Sequence, residues 1–358
     1  KPSLLIGKSI RILHVTNFNE RHDGRLFFNT GRRLNNGFIR LGHSVLEFSD
    51  RDIVKHYKSI KDYTGANTLN EKLINTVYNY KPDLLIFGHA DLIKYTTLDH
   101  LRKNYKNLKI AQWFLDPLIK NGPDFEKNKT RILDKIEYTD ANFITTSPDA
   151  LNFLPKEKLS LFMPNPTDPS FEVLNNYEND QCSMDVFFAL SHGVHRGILK
   201  SGKHDERADF VNRLVEVTPN VKFDLYGINN VQPIWADSFL KSISNAKMGV
   251  NLSRGNPIKY YSSDRITQLI GNGLLTFIHK DTLYNNFFTN KEVIFYSNLI
   301  DLSEKIQRFA RDDKARKKIA KNGKIKYMKY FNSTVVANYI INKTFELKNK
   351  DKFLWENK

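Results

Sequence analysis

Short apolar runs alternate with longer segments of helical period along nearly the whole chain. The first run, residues 10–15 (Ile-Arg-Ile-Leu-His-Val), precedes a helical pattern over about 28–41, and Gly42-His43 then turns into the apolar run 44–48. Strand, helix and strand in that order make a βαβ unit, and its repetition predicts a parallel sheet with helices on both faces. Helices are expected over about 69–80, 97–105 and 129–138, and strands over 83–87, 109–114 and 141–146. Pro164, Pro166 and Pro169 then break both periodicities and mark an interdomain linker.

The alternation restarts beyond the prolines. Strands are expected at 184–190, 222–226 and 248–252, with helices over about 207–217 and 238–246. Residues 264–278 run a short helix through Gly273, which should stop it, into an apolar strand ending at Ile278. A further strand, 292–296, and helices at 301–311, about 314–321 and 334–348 complete the pattern. The fold class is therefore α/β, with two Rossmann-like domains facing across a cleft. The expected domains are 1–163, 164–335 and a terminal helix, 336–358, that crosses back to the first. Open parallel sheets bind ligands at the carboxyl ends of their strands, which places the site at that cleft.

Composition narrows the partners only partly. The 358 residues include 55 Lys plus Arg against 39 Asp plus Glu, a formal charge of +16 that favours anionic partners. A single cysteine, Cys182, forms no intrachain disulfide and suits a reducing compartment. No run approaches the roughly 20 apolar residues of a spanning helix, so a cytoplasmic protein is expected, with any membrane contact peripheral, on the inner face. The lysine-rich stretch 314–321 reads as a solvated helix face, and no nucleic-acid partner is expected.

The residues able to carry chemistry cluster after strands. Ser191-His192-Gly193-Val194-His195-Arg196 is a glycine-containing turn whose amides can cradle phosphate while Arg196 adds charge. Tyr226 closes its own strand. Arg254 and Arg265 flank a segment ending Tyr261-Ser262-Ser263-Asp264, and a guanidinium fork suits a diphosphate. Either serine can cap the helix that carries Arg265 and Gln268, or reach a phosphate. In the first half, the loop 17–25 holds His22 and Asp23, with Arg21 and Arg25 beside them. His89 and Asp116 each follow a strand. Asp50-Arg51-Asp52 has metal-binding spacing but reads as a loop, and His192 with His195 lacks a third ligand, so no metal is expected.

Arg265, Gly273, the strand to Ile278, then Asn285-Asn286-Phe287-Phe288, the strand 292–296 and the helix 301–311 stand in one order. That order resembles the donor-binding half of GT-B glycosyltransferases, in the group 1 or spore-maturation-protein-like branch. Two family glutamates fall on Tyr260 and Gln268, leaving retaining or inverting stereochemistry open. The resemblance implies a metal-independent enzyme needing no cofactor, which moves a sugar from a UDP- or GDP-linked donor to a hydroxyl of a glycan or lipid-linked acceptor. Surface polysaccharide, lipopolysaccharide or glycolipid assembly is the implied setting. It further implies that Ser191, His192, Gly193, Arg196, Tyr226, Arg254, Tyr261, Ser262, Ser263, Asp264, Arg265 and Gln268 bind the donor. His22 or Asp23 would then serve as base, His89 would contact the transferred sugar, and Asp116 would match a recurrent family aspartate. The rival readings are a nucleotide-sugar epimerase or hydrolase on the same scaffold, or a non-catalytic nucleotide- or nucleic-acid-binding protein.

Overall fold

Strand pairing among the described residues is parallel throughout, as helical crossovers require. The computed structural model describes residues 8–122, 124–191, 205–348 and 351–356. They fall into two units, one running to Pro166 and resuming at Asn332, the other spanning Thr167–Phe331.

The first unit carries β1 (Arg11–Thr16), β2 (Ser44–Ser49), β3 (Leu84–Gly88), β4 (Lys109–Phe114), β5 (Ala141–Ile144) and β6 (Ser160–Phe162). They form a six-stranded sheet in the order β2-β1-β3-β4-β5-β6. Between them run α1 (Thr30–Arg40), α2 (Asp50–His56), α3 (Ala66–Tyr80), α4 (Tyr95–Asn104) and α5 (Phe125–Ile136). Leu13, Val15, Leu85 and Phe87 from the sheet pack with Leu73, Val77, Leu98 and Leu101 from α3 and α4.

Two elements depart from the sequence reading. Residues 50–52, read as a loop, open α2: Ser49 is its N-cap, and its hydroxyl donates to Asp52 in the first turn. Acidic side chains there complement the positive end of the helix dipole. The short β6 pairs with β5 just before the prolines and is too brief to register as a period.

The second unit holds β7 (Met184–Ala189), β8 (Phe223–Tyr226), β9 (Ala246–Asn251), β10 (Leu275–His279) and β11 (Ile294–Tyr296). Their order is β11-β10-β9-β7-β8. The helices are α6 (Glu206–Val217), α7 (Ala236–Ser244), α8 (Arg265–Gly271), α9 (Leu299–Arg311) and α10 (Asp313–Tyr330). Val186, Met248, Val250, Leu275 and Phe277 pack against Leu302, Ile306 and Phe309 of α9. The chain ends α8 with Asn272 at the C-cap and Gly273 at φ 79°, a left-handed residue that glycine adopts without strain.

The last helix, α11 (Ser333–Thr344), belongs to the first unit and lies along α1. Gly37 permits the close approach: a Cβ there would land on the Ser333 carbonyl and 2.9 Å from Ala337 Cβ.

At the centre of the first sheet His14 is fully buried. Trp113 Nε1 donates to its Nε2 at 3.1 Å, so the ring proton sits on Nδ1, 3.3 Å from Asn35 Oδ1. Burial pushes the ring down to about 4 from an ordinary 6.5. The unfolded chain therefore protonates His14 before the native chain does. The stability it contributes is present above pH 6.5 and is lost as pH falls to about 4, by about 3 kcal/mol. The stability difference between the wild type and His14→Gln, followed by urea unfolding, is expected to shrink by about that amount over this interval. Groups common to both proteins cancel in that difference.

Candidate active site

In the second unit the carboxyl ends of β7 and β9 meet the start of α8, and Arg265 ties them together. Its Nη1 donates to Leu252 O at 2.7 Å and Ser263 Oγ at 3.0 Å, and its Nη2 donates to Ala189 O at 3.0 Å. The guanidinium lies over the Phe188 ring, 4.9 Å from its centroid. Burial, with Arg207 nearby, pushes Arg265 down to about 10, so it stays charged at neutral pH. These bonds use both Nη1 hydrogens and one on Nη2. The remaining edge, Nε with the second Nη2 hydrogen, has no partner among the described residues. That edge has the geometry of a bidentate contact to a carboxylate or phosphate.

The neighbouring loop is held by its own hydroxyls. Ser262 Oγ exchanges hydrogen bonds with the Asn251 amide at 3.0 and 3.1 Å, and Ser263 N donates to Ser253 Oγ at 3.1 Å. Neither serine caps α8, whose N-cap is Asp264 and makes no side-chain cap bond. Tyr261 is buried, whereas Arg254 and Gln268 are half-buried at the same end of the sheet. Tyr260 is buried at φ 61°, and its hydroxyl accepts from Asn286 Nδ2 at 2.7 Å. Tyr226 stands beside Ala189 in the sheet, but its ring packs near Phe187 and its hydroxyl accepts from Ser242 on α7 at 3.1 Å. Ser191 is exposed just beyond β7, and His192, Gly193 and Arg196 lie outside the described residues.

The sequence reading missed Asp205 and Arg207. Asp205 caps α6 through the Arg207 amide at 3.1 Å and grips the Arg207 guanidinium through both oxygens at 3.0 and 2.7 Å. Both residues influence the charge of Arg265. The only sequence signal was an aspartate immediately ahead of a helical period.

In the first unit, β3 ends in Gly88-His89-Ala90, with φ 61° at His89 and 43° at Ala90. Consecutive left-handed non-glycine residues cost of order 1–3 kcal/mol each and concentrate at functional sites. The His89 ring lies 4.8 Å from Phe114 and 6.0 Å from Trp113. Its Nε2 stands 3.7 Å from Asp116 Oδ2, too far for a hydrogen bond, and has no hydrogen-bond partner. Sheet order explains the meeting, because His89 and Asp116 follow the adjacent strands β3 and β4.

Charges continue outward from Asp116. Arg131 reaches Asp116 at 3.4 Å and Asp91 at 3.0 Å, and Arg51 reaches Asp91 at 3.3 Å. Burial holds His89 below its ordinary value although Asp116 pulls the other way, so the imidazole is neutral at pH 7. Asp91 sits at about 2, where Arg51 and Arg131 outweigh its burial. A cavity of about 140 Å³ opens here, lined by Thr16, Asn17, Asp50, Arg51, His89 and Trp113 among others.

His22 and Asp23 are not brought to that cavity. They lie in the β1–α1 loop, Asp23 exposed and His22 with its Nδ1 3.4 Å from Arg25 Nη2. Asp52 anchors this loop, accepting from the Glu20 amide at 2.8 Å and from Arg21 Nη1 at 2.6 Å. Among the described residues no cluster of three or more His, Cys, Asp or Glu is placed to hold a metal ion, and no helix is long and apolar enough to cross a membrane.

Residues 206–342 match the sequence model of the glycosyl transferase-like family. No curated protein matches the chain in sequence. Solved structures resemble it over nearly its full length. Sucrose-phosphate synthase from Thermosynechococcus elongatus superposes with a TM-score of 0.60 at 13% identity, covering 93% of this chain and 98% of its own. HepE from Anabaena, in complex with UDP and glucose, gives 0.58 at 12%, covering 94% and 100%. A UDP-forming α,α-trehalose-phosphate synthase from Burkholderia xenovorans gives 0.56 at 9%, covering 96% and 100%. At such identities the likeness is one of fold. The two units thus carry the GT-B fold, and most of the second is similar in sequence to the glycosyl transferase-like family.

Proposed function

We propose that the protein transfers a sugar from a UDP- or GDP-linked donor to a hydroxyl of a glycan or lipid-linked acceptor, in the assembly of a surface polysaccharide, lipopolysaccharide or glycolipid. The observation that carries the donor half of this reading is the unpartnered Nε/Nη2 edge of Arg265, at the carboxyl ends of β7 and β9 within the family-matched segment. As the bond from the sugar C1 to the diphosphate oxygen breaks, its electron pair moves onto the phosphate. A fixed guanidinium stabilises that charge without reorganising. The acceptor oxygen forms the new bond to C1 and gives its proton to a base. UDP bound in a structure of the same fold supports a nucleotide-linked donor.

In the first unit, neutral His89 is suited to hydrogen bonding with sugar hydroxyls, and Asp116 with Arg131 fixes the charge around it. The excess of basic residues supports an anionic partner, whether an acidic glycan or the anionic inner face of a membrane.

Thermal unfolding with UDP, GDP, ADP and CMP at about 1 mM, and with their common sugar conjugates, tests the donor assignment. A nucleotide held near 10 μM adds roughly 2.7 kcal/mol and raises the melting temperature of its unit by several degrees. UDP or GDP is expected to give the largest shift. A flat response to every nucleotide would count against a nucleotide-sugar donor.

A further inference from the structure

The two aspartates that open α2 do different things. Asp52 is spent on the β1–α1 loop and on Ser49. Asp50 is 1% exposed, makes no ion pair among the described residues, and its Oδ1 has no hydrogen-bond partner. It does not cap α2, because Ser49 holds that position.

A buried acceptor left open costs stability, and native proteins rarely keep one without a reason. Asp50 lines the same cavity as His89, whose Nε2 is also unpartnered, so two orphaned polar groups belong to one small space. The strained turn at His89 is a third sign that this end of the sheet is shaped for something other than its own packing.

The chemistry of the lining limits the occupant. Arg51 disfavours a cation, while Asp50 disfavours an anion whenever it is ionised. Neutral hydroxyls suit both, since each O–H can donate to a carboxylate and accept from an imidazole or guanidinium N–H. At about 140 Å³ the cavity is smaller than the roughly 300–1,000 Å³ of pockets that enclose drug-sized ligands, which points to one ring and not a chain. The Trp113 indole and the neighbouring polar residues complete an amphipathic lining of the kind a sugar ring fits.

We propose that Asp50 is the hydroxyl-accepting residue of this cavity, where it and His89 take adjacent hydroxyls of a single sugar ring. The proposal rests on the glycosyl-transfer reading and assigns its first unit a specificity-determining residue. Burial pushes the Asp50 carboxyl up to about 6 against the opposing effect of Arg51, and Asp91 and Asp52 add to the rise. Lys135, buried and held low by burial, also feels the Asp50 charge but donates to Arg131 O. Sugar binding should therefore strengthen as pH rises through about 6. The native fold favours protonated Asp50, so its contribution to stability is complete below the ordinary value of 3.8 and lost as pH climbs past 6. Asp50→Asn removes that loss, so the variant should melt at the same temperature as the wild type or higher at pH 8.

The test uses the full chain and saturation-transfer NMR with methyl glycosides of glucose, galactose, mannose and N-acetylglucosamine. At least one is expected to bind the wild type at pH 7.5, with affinity about tenfold lower in Asp50→Asn and falling in the wild type toward pH 5. Absence of binding by every glycoside, or equal binding by Asp50→Asn, overturns the proposal. A lower melting temperature of Asp50→Asn at pH 8 would mark the carboxylate as structural and overturn it too. Nucleotide stabilisation, measured on the same samples, separates this failure from a failure of the donor assignment: it should persist unchanged in Asp50→Asn.

Discussion

Arg265→Ala is expected to lower sugar transfer by about 10²–10³-fold, in the range seen when a fixed donor to a developing anion is removed. Its effect on the fold will not be nil. The guanidinium holds the carbonyls of Ala189 and Leu252 at the ends of two neighbouring strands, and its removal leaves both acceptors short of a partner. An unmet buried group costs about 1–3 kcal/mol, so the melting temperature should fall by several degrees. Arg265→Lys separates the two roles. A single ammonium can satisfy one or two of the present acceptors but offers no planar edge to a diphosphate. It should recover part of the lost stability while activity stays within about tenfold of the alanine variant. Steady-state kinetics with whichever nucleotide sugar stabilises the wild type would check this. Unchanged kcat/KM in either variant would remove α8 from the reaction.

Gly37→Ala should produce the largest loss of stability from the smallest chemical change. The added methyl would be driven into the Ser333 carbonyl and Ala337 Cβ, and a backbone carbonyl cannot rotate aside as a side chain can. Overpacking against flexible neighbours costs about 1–3 kcal/mol, and this case should reach or pass the upper end. With roughly 2–4 °C lost per kcal/mol in a unit of this size, calorimetry should show the first unit melting about 6–12 °C lower. The second unit contains neither helix and should keep its own transition. A shift below 2 °C would mean that α1 and α11 separate at little cost.

Much of the fold was legible because burial of both sheet faces writes continuous apolar runs into the strands. The run 109–114 coincides with β4, and the βαβ alternation carried the parallel order with it. What escaped lacked a period. A three-residue edge strand such as β6 has no room for one, and α2 hid behind two aspartates that spell a metal-binding pattern. The site was legible as positions and not as partnerships. His89 and Asp116 were each visible at a strand end, but their proximity depends on β3 lying beside β4. Asp50 read only as part of a loop with metal-binding spacing. Its burial comes with the packing of α2 against α3 and β1, which residue order does not reveal. Asp205 and Arg207 grip each other across two positions at a helix start, a separation at which charges ordinarily point to solvent.

The return of α11 to the first unit imposes an order on synthesis. Residues 167–331 are contiguous and hold all the strands of their sheet, so this unit has everything it needs once it has left the ribosome. The first unit, although translated earlier, lacks the helix that covers α1 until residues 333–344 emerge. The apolar surface of α1 beside Gly37 therefore stays open to water, or to a chaperone, while the whole second unit is being made. The later-made unit should accordingly be the first to reach its native state, reversing the usual amino-to-carboxyl sequence of domain folding.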